Sequence, residues 1–371
     1  MIKKVVLTFL IMLCLITAVS AEESDIYKEQ FSASGIDELN DEIPDATKEL
    51  LDNFSIDISD SDWVNSLSNE NAFLHIWGFI KSGAKAPLRA FGIILSLIIL
   101  SAVISTAFKD SMTETVTFAT VLAVCAALLS PVYSAITAST EALRGCATFM
   151  TAFVPVFAGV VAASGRTLTS ASMSGVLLLA SNLVTFIANF AVVPLTCGHL
   201  SLSIASSVSP LLQNTNLASG VKKLSLWIMG LISTVFVGIL SIQTVINGAA
   251  DSLSLRTAKF IVGSSVPVAG GVLSEALATV TASLSLLRSS VGIWGVLICA
   301  LTFLPIIIEL LMWRLGLLML SFFSDTFCVG KISMLLKSVD SVMSVLVGVV
   351  LLTAAMFIIS LTVVIMGGKG V

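Results

Sequence analysis

Long runs of uncharged, mostly apolar residues follow one another along most of the chain. A transmembrane helix needs about 20 such residues, and in lipid its backbone must be hydrogen-bonded within the segment. The pattern therefore predicts an all-α, polytopic transmembrane helical bundle of about eight to ten membrane segments. Two of these segments, 199–213 and 310–323, are ambiguous, since each either spans or is re-entrant. The clearer runs are 91–108, 115–140, 145–165, 173–197, 224–250, 260–287, 291–308 and 341–366.

The pattern before residue 91 is different. Lys3 and Lys4 precede an apolar run at 5–18 and the small-residue stretch AVSA. This order is typical of a secretory signal peptide, and the run spans only about 21 Å of a hydrocarbon core that is ~30 Å thick. We therefore expect a signal peptide over 1–21, cleaved after Ser20 or Ala21, with an uncleaved anchor as the alternative.

The charges divide the rest of the chain into further parts. Residues 22–75 hold 15 of the 23 acidic residues and two of the 19 basic ones, which predicts an acidic extracytoplasmic region. This acidic surface is either simply solvated or a docking surface for a basic partner. Residues 76–90 carry Lys81, Lys85 and Arg89 beside Trp77 and are predicted to form a basic interfacial segment. Residues 91–371 then form the multi-pass membrane domain, whose orientation the basic residues do not decide.

Composition agrees with lipid as the solvent of this domain. Hydrophobic residues make up 56% of the chain and charged residues 11%, whereas soluble domains carry ~25% charged residues. So few charges do not cover a water-facing surface. The composition excludes a soluble enzyme and a nucleic-acid binder, so the partner predicted first is the lipid bilayer and no nucleic acid is expected.

An internal similarity appears at an offset of 112 residues. The sequence Val154-Pro155-Val156 followed by Gly159 matches Val266-Pro267-Val268 followed by Gly271. The apolar runs align at the same offset, which predicts a duplication with repeats 115–214 and 227–326. Two halves of interrupted helices are typical of many transporters.

Proline and glycine residues in these matched segments are candidates for a pathway through the membrane. Pro155 and Pro267 are expected to kink or break their helices, because proline lacks a backbone donor. Glycine permits close helix approach, and backbone groups freed nearby would line a polar cavity. The alternative is that these are simply kinked packing helices. The candidate helix-break or pathway residues are Pro155, Gly159, Pro267, Gly270, Gly271 and Glu275.

Few charged residues lie at membrane depth. Glu275 follows Pro267 by eight positions, and Glu309 and Arg314 are the other candidate intramembrane charges. Such groups usually face a bundle interior or water. Glu309 and Arg314 are five positions apart, roughly 140° around a helix, so a direct pair between them requires a bend. The alternative is that both lie at the end of a span near the headgroups.

Nothing in the sequence predicts an enzyme. Its two histidines are far apart, no phosphate-binding GxxxxGK[ST] motif occurs, and the five cysteines after the signal are scattered. We expect no catalytic, cofactor or metal site, and no cofactor.

Several stretches resemble a known family. They are DSLSLRTAKFIVGSSVPVAGGVLSEAL at 251–277, SSVGIWGV at 289–296, the uncharged region 167–221, and the signal with its acidic head. Together they resemble the stage III sporulation protein AE family. The resemblance implies a polytopic protein in the mother-cell membrane around the forespore. It also implies a secretion-like or channel complex with other membrane proteins and a separate ATPase, needed for forespore maintenance and late gene expression. The family offers no catalytic residues to transfer. A secondary permease that moves a small solute through a broken-helix site remains the alternative from the residues.

Overall fold

The computed structural model of the protein describes residues 35–53, 70–107, 111–187, 193–208, 215–265 and 270–366. The regular elements within these ranges are helical, which confirms the all-α prediction. The signal peptide, residues 54–69 and Pro267 lie outside the described residues. The elements are a short 3-10 helix Ile36–Glu42, followed by α1 Asp45–Asn53, α2 Glu70–Ala107, α3 Ser111–Ala163, α4 Thr167–Phe186, α5 Val193–Val208, α6 Thr215–Ser265, α7 Gly270–Thr326 and α8 Gly330–Met366.

Six of the described helices are long and apolar enough to cross a membrane, so the chain is a multi-pass membrane protein. Helix α5, with 16 residues, is not among them. The six apolar stretches are Pro87–Ile104 in α2, Thr115–Ala163 in α3, Thr167–Phe186, which is all of α4, Lys223–Gln243 in α6, Ala282–Thr326 in α7 and Gly330–Ile365 in α8.

The number of segments differs from the sequence prediction because neighbouring apolar runs join into single helices. Runs 115–140 and 145–165 are both part of α3, which has 53 residues. In the same way, 291–308 and 310–323 are both part of α7, which has 57 residues. Charged residues such as Glu141 and Arg144 interrupt the apolar pattern, but they are good helix formers and leave the backbone helical. Six apolar helices therefore replace the predicted eight to ten segments in the described part.

The hairpin of α7 and α8 forms the centre of the bundle. In each of these helices 83% of the most apolar stretch is buried, against 22% in α2 and α3. Helix α7 contacts α2, α3, α6 and α8, and α8 also contacts α4 and α5. A helix that is apolar on all sides is a buried helix, which explains why these two apolar helices occupy the interior.

Aromatic rings pack α3 against α7. Phe149, Phe153 and Phe157 succeed one another along α3, with ring centroids 5.4 and 5.3 Å apart. The ring of Trp294 lies 5.7 Å from that of Phe149. A Cβ atom at Gly295 would lie 2.5 Å from Cζ of Phe153, so this glycine is required for the close approach of α7.

The acidic N-terminal segment packs on the middle of these long helices. Ile43, Leu50 and Leu51 are buried in the core. The hydroxyls of Thr47 and Thr302 are 2.9 Å apart, and a Cβ at Gly145 would lie 3.2 Å from Cγ of Pro44. Residues 35–53 thus lie on α3 and α7 about halfway along the bundle, while export of this region stays a prediction.

The described helices do not support the duplication. At the 112-residue offset, α4 and α5 correspond to residues 279–298 and 305–320. These residues belong to one continuous helix, α7, whereas α4 and α5 are separate elements. The two predicted repeats therefore differ in their elements, and the duplication has no structural support here.

Candidate functional site

The turn between α3 and α4 sets how these two helices lie together. Gly165 has a φ of 84°, the left-handed conformation that ends many helices. Its N–H donates to the carbonyl of Ala162, and the N–H of Arg166 donates to that of Val161. The chain therefore reverses within three residues, and α4 runs antiparallel to α3.

Small polar residues hold the hairpin of α3 and α4 together. The Ser181 hydroxyl donates to the carbonyl of Ala147, and its oxygen lies 3.0 Å from the Thr151 hydroxyl. Near the turn, the Ser170 hydroxyl donates to the carbonyl of Ala158 at 2.6 Å. These bonds fix the register of α4 on α3 and so decide which residues of each helix face outward.

The outward side of this hairpin forms a continuous surface of small and polar residues, which we name the α3–α4 face. The exposed positions of α3 after residue 144 recur every three to four residues, on the side of the helix opposite Phe149, Phe153 and Phe157. Helix α4 exposes a similar row next to it. The face consists of Thr148, Thr151, Pro155 and Gly159 on α3 and Ala171, Gly175 and Asn182 on α4, and Leu179, between the last two, is its exposed large apolar residue.

The lipid-facing surface of α6 is quite different. There the exposed positions carry large apolar side chains, including Leu231, Val235, Ile239 and Ile242, which are 48–63% exposed. Along α3 from residue 141 to 163, by contrast, no large apolar side chain is exposed. A surface that faces lipid is expected to be apolar and bulky, whereas small residues are enriched where membrane helices meet. The α3–α4 face therefore has the composition of a contact surface.

Two predicted pathway residues lie on this face. Helix α3 stays helical through Pro155. A Cβ added at Gly159 would meet no described atom within 4 Å. Both residues present an open surface of the hairpin.

The second predicted cluster is only partly described. Gly270 and Gly271 begin α7. Pro267 and the side chain of Glu275 lie outside the described residues. A pathway that Pro155 and Gly159 share with Glu275 therefore stays a prediction.

Arg314 has a partner that the sequence did not indicate. Its Nε donates to Oδ1 of Asp340 at 2.9 Å, and its Nη2 lies 3.4 Å from Oδ2. The two side chains are only 20% and 16% exposed. The pair joins α7 to α8, whereas Glu309 lies partly exposed on α7 and makes no ion pair with Arg314 among the described residues. The sequence pattern does not single out Asp340, because this residue directly precedes the uncharged run 341–366 and marks its boundary.

A further group of charges lies near the turn between α3 and α4. The carboxylate of Asp251, on α6, accepts the backbone N–H groups of Leu168 and Thr169 at the start of α4. This places a negative charge at the positive end of a helix dipole. Burial lowers the pKa of the neighbouring Arg166, and the nearby Asp251 raises it.

None of these groups forms a metal site. In the ranges that the structure describes, no three His, Cys, Asp or Glu side chains come together in a way that would hold an ion. Hydroxyl groups, glycines and a cross-helix ion pair are suited to joining helices. The fold and these surfaces define a class, an all-α multi-pass membrane protein with a central apolar hairpin and a small-residue outer face.

Comparison with known proteins places the chain within this class. The model of the family described as stage III sporulation protein AE matches residues 62–368, so the chain belongs to that family. The stage III sporulation protein AE of Bacillus subtilis (strain 168) is 29% identical over 292 residues, which cover 77% of this chain and 71% of the relative. No solved structure matches the chain. Membership of the family supports a role in sporulation.

Proposed function

We propose that this protein is a non-enzymatic, integral membrane subunit of a sporulation-specific complex, and that its α3–α4 face packs against other proteins of that complex. The observation that carries the proposal is the exposed row of threonine, proline and glycine at Thr148, Thr151, Pro155 and Gly159. Such a row is poorly suited to lipid and well suited to a neighbouring helix.

The cellular setting of the proposal comes from the family. We place the chain in the mother-cell membrane around the forespore. Its partners are other membrane proteins that together form a secretion-like channel, and a separate ATPase supplies the energy. The expected role of the complex is to maintain the forespore and support late gene expression. The signal peptide and the extracytoplasmic position of residues 22–75 belong to this proposal.

The length of the helices also favours a protein that works as a subunit of a larger complex. The apolar part of α3 has 49 residues, roughly 70 Å along its axis, against a hydrocarbon core of ~30 Å. Residues 35–53, with seven acidic residues and one lysine, pack near the middle of this helix. Charged groups at that level belong in water, so one bilayer does not hold both halves of α3. The apolar half outside the bilayer then needs protein to cover it.

The permease alternative has less support. It depended on a broken-helix site, but α3 is continuous through Pro155. A self-sufficient permease would transport its solute after reconstitution alone in liposomes. We expect the purified chain to be inactive there and to co-purify from sporulating cells with other membrane proteins.

A single pair of variants tests the proposed contact. Gly159→Leu adds a bulky side chain to the α3–α4 face at a position with open space around it. The variant should fold, but the leucine should keep a partner helix from approaching. In a spore-forming host that depends on this gene, we expect heat-resistant spores to fall by roughly tenfold or more.

Gly238→Leu is the matched control. Gly238 is also an exposed helical glycine with nothing within 4 Å of an added Cβ, but it lies among the large apolar residues of α6. A leucine there meets lipid, so normal sporulation is expected. Equal amounts of both variants in the membrane, measured by immunoblot, separate lost contact from lost protein. Normal sporulation by Gly159→Leu would contradict the proposal.

A further inference from the structure

Three apolar stretches each have one end near the same level of the bundle. Arg166 directly precedes the stretch Thr167–Phe186, and Arg288 lies six positions after the start of Ala282–Thr326. Ile365 is the last residue of the stretch Gly330–Ile365, and its carbonyl accepts a hydrogen bond from Nη2 of Arg288 at 3.3 Å. The stretch Thr167–Phe186 then runs uncharged for 20 residues from the same level, about 30 Å of helix, which matches one hydrocarbon core. This places Arg288 at the depth of the lipid headgroups.

Arg288 is buried with most of its hydrogen-bonding capacity unused. Only 2% of the residue is exposed, and neither Nε nor Nη1 has a hydrogen-bond partner. A buried guanidinium carries five donors and a full charge, and both are costly to leave unpaired. The single bond to the Ile365 carbonyl does not neutralise the charge. Among the residues that the structure describes, no carboxylate hydrogen-bonds to Arg288.

The neighbouring carboxylate does not fill this role. Both oxygens of Asp251 are bound to backbone N–H groups at the start of α4, and the residue is 3% exposed. Arg166, half-buried in the turn before α4, is near enough to Arg288 to repel it electrostatically. Two arginines and one carboxylate thus lie at this level. The hydroxyl of Thr169 is a further buried polar group without a partner.

We propose that this cluster, formed by Arg166, Thr169 and Arg288, binds a phosphate group between the start of α4, the first third of α7 and the end of α8. A guanidinium pairs with phosphate through two parallel hydrogen bonds, which uses the free donors of Arg288. Basic pockets between membrane helices bind the headgroups of anionic lipids. The phosphate therefore belongs either to an anionic phospholipid or to a free phosphate ion. The proposal is independent of the α3–α4 face and its partners.

Binding of defined probes to the purified full chain tests this site. The chain in detergent is titrated separately with phosphatidylglycerol, with inorganic phosphate and with uncharged diacylglycerol, and bound molecules are counted by native mass spectrometry. We expect phosphatidylglycerol to bind and diacylglycerol not to. Competition by inorganic phosphate would show that the ion alone suffices, whereas retention of the lipid against it would identify the headgroup with its chains as the ligand.

Substitutions of single arginines test which residues bind the phosphate. Arg288→Gln should weaken the binding of the phosphate-bearing probe by about tenfold or more, because the charge and the paired donors are lost. Arg256→Gln removes an exposed arginine of α6 only five positions after Asp251 and should change the affinity by less than about twofold, since exposed charges are screened.

A second variant covers a failure of Arg288→Gln to fold. Arg166→Gln alters a half-buried residue in a turn and should weaken binding by about threefold or more. Failure of the wild-type chain to bind either phosphate probe would overturn the proposal. Equal binding by the wild type and the folded arginine variant would overturn it as well.

Discussion

Arg314 shows what spacing along a chain predicts about a charged residue and what it does not. The apolar surroundings of Arg314 predict that its charge needs a partner, since a charge among apolar helices is costly to leave unpaired. Its partner, Asp340, lies 26 positions further on, across the α7–α8 turn. The register of that hairpin depends on the turn at residues 327–329, so no sequence periodicity relates the two residues. Glu309, which the spacing suggested as a neighbour, is on the same helix but not in contact.

A double-mutant cycle measures the pair of Arg314 and Asp340. Arg314→Met and Asp340→Leu each leave one charge unpaired on a largely buried surface, while the double variant leaves none. We expect each single variant to lose more stability than the double variant does, with a coupling energy of about 1–3 kcal/mol. Thermal unfolding in detergent provides the measurement. Strictly additive losses would show that the two side chains do not interact.

The long helices could be predicted in type but not in length. The described residues of the apolar runs after residue 91 are almost all helical, because in lipid a helix satisfies its own backbone, although runs 173–197 and 260–287 each contain parts of two helices. The joining of 115–140 with 145–165 could not be predicted, since Glu141 and Arg144 resemble the polar ends of two spans. Only the packing of α3 on α7 through Phe149, Phe153 and Trp294 shows that the helix continues past them.

Two native cysteines test the packing of α3 on α7. The sulfur atoms of Cys146 and Cys299 are 3.5 Å apart, close enough that a small movement would allow a disulfide of ~2.0 Å. We expect a membrane-permeant oxidant such as copper phenanthroline to join them, giving a faster band on a non-reducing denaturing gel.

The other cysteines provide the controls. The faster band should vanish in Cys146→Ser and in Cys299→Ser, and it should persist when Cys125, Cys197 and Cys328 are replaced by serine. Persistence of the band in Cys146→Ser, or its absence from the wild type, would show that α3 and α7 are not in this register.

At the scale of the whole molecule, the sequence predicted the membrane protein and its family but not the α3–α4 face. The sequence suggested Pro155 as a kink and Gly159 as a point of close helix approach. The structure shows them instead on an exposed row that continues through Thr148 and Thr151. Exposure of this kind depends on which side of α3 packs against the central hairpin. That side is set by contacts with residues of α4 and α7 that are distant in the sequence.

The bundle also separates two levels of charge with an uncharged slab between them. Arg166, Asp251 and Arg288 lie at one level. The acidic α1 lies at the other, where Thr47 meets Thr302, and the pair of Arg314 and Asp340 lies about 18 Å further along α7. The bilayer fits between these levels, and the α3–α4 face crosses it. The central claim of the proposal is that another protein covers this face within the membrane.

Photo-crosslinking in sporulating cells tests this claim most directly. A photo-reactive amino acid is placed at position 159, on the α3–α4 face, and in a parallel strain at position 238, on the apolar surface of α6. We predict that illumination joins position 159 to another protein chain and that position 238 yields only lipid adducts. A result in which position 159 also yields only lipid adducts would contradict the account.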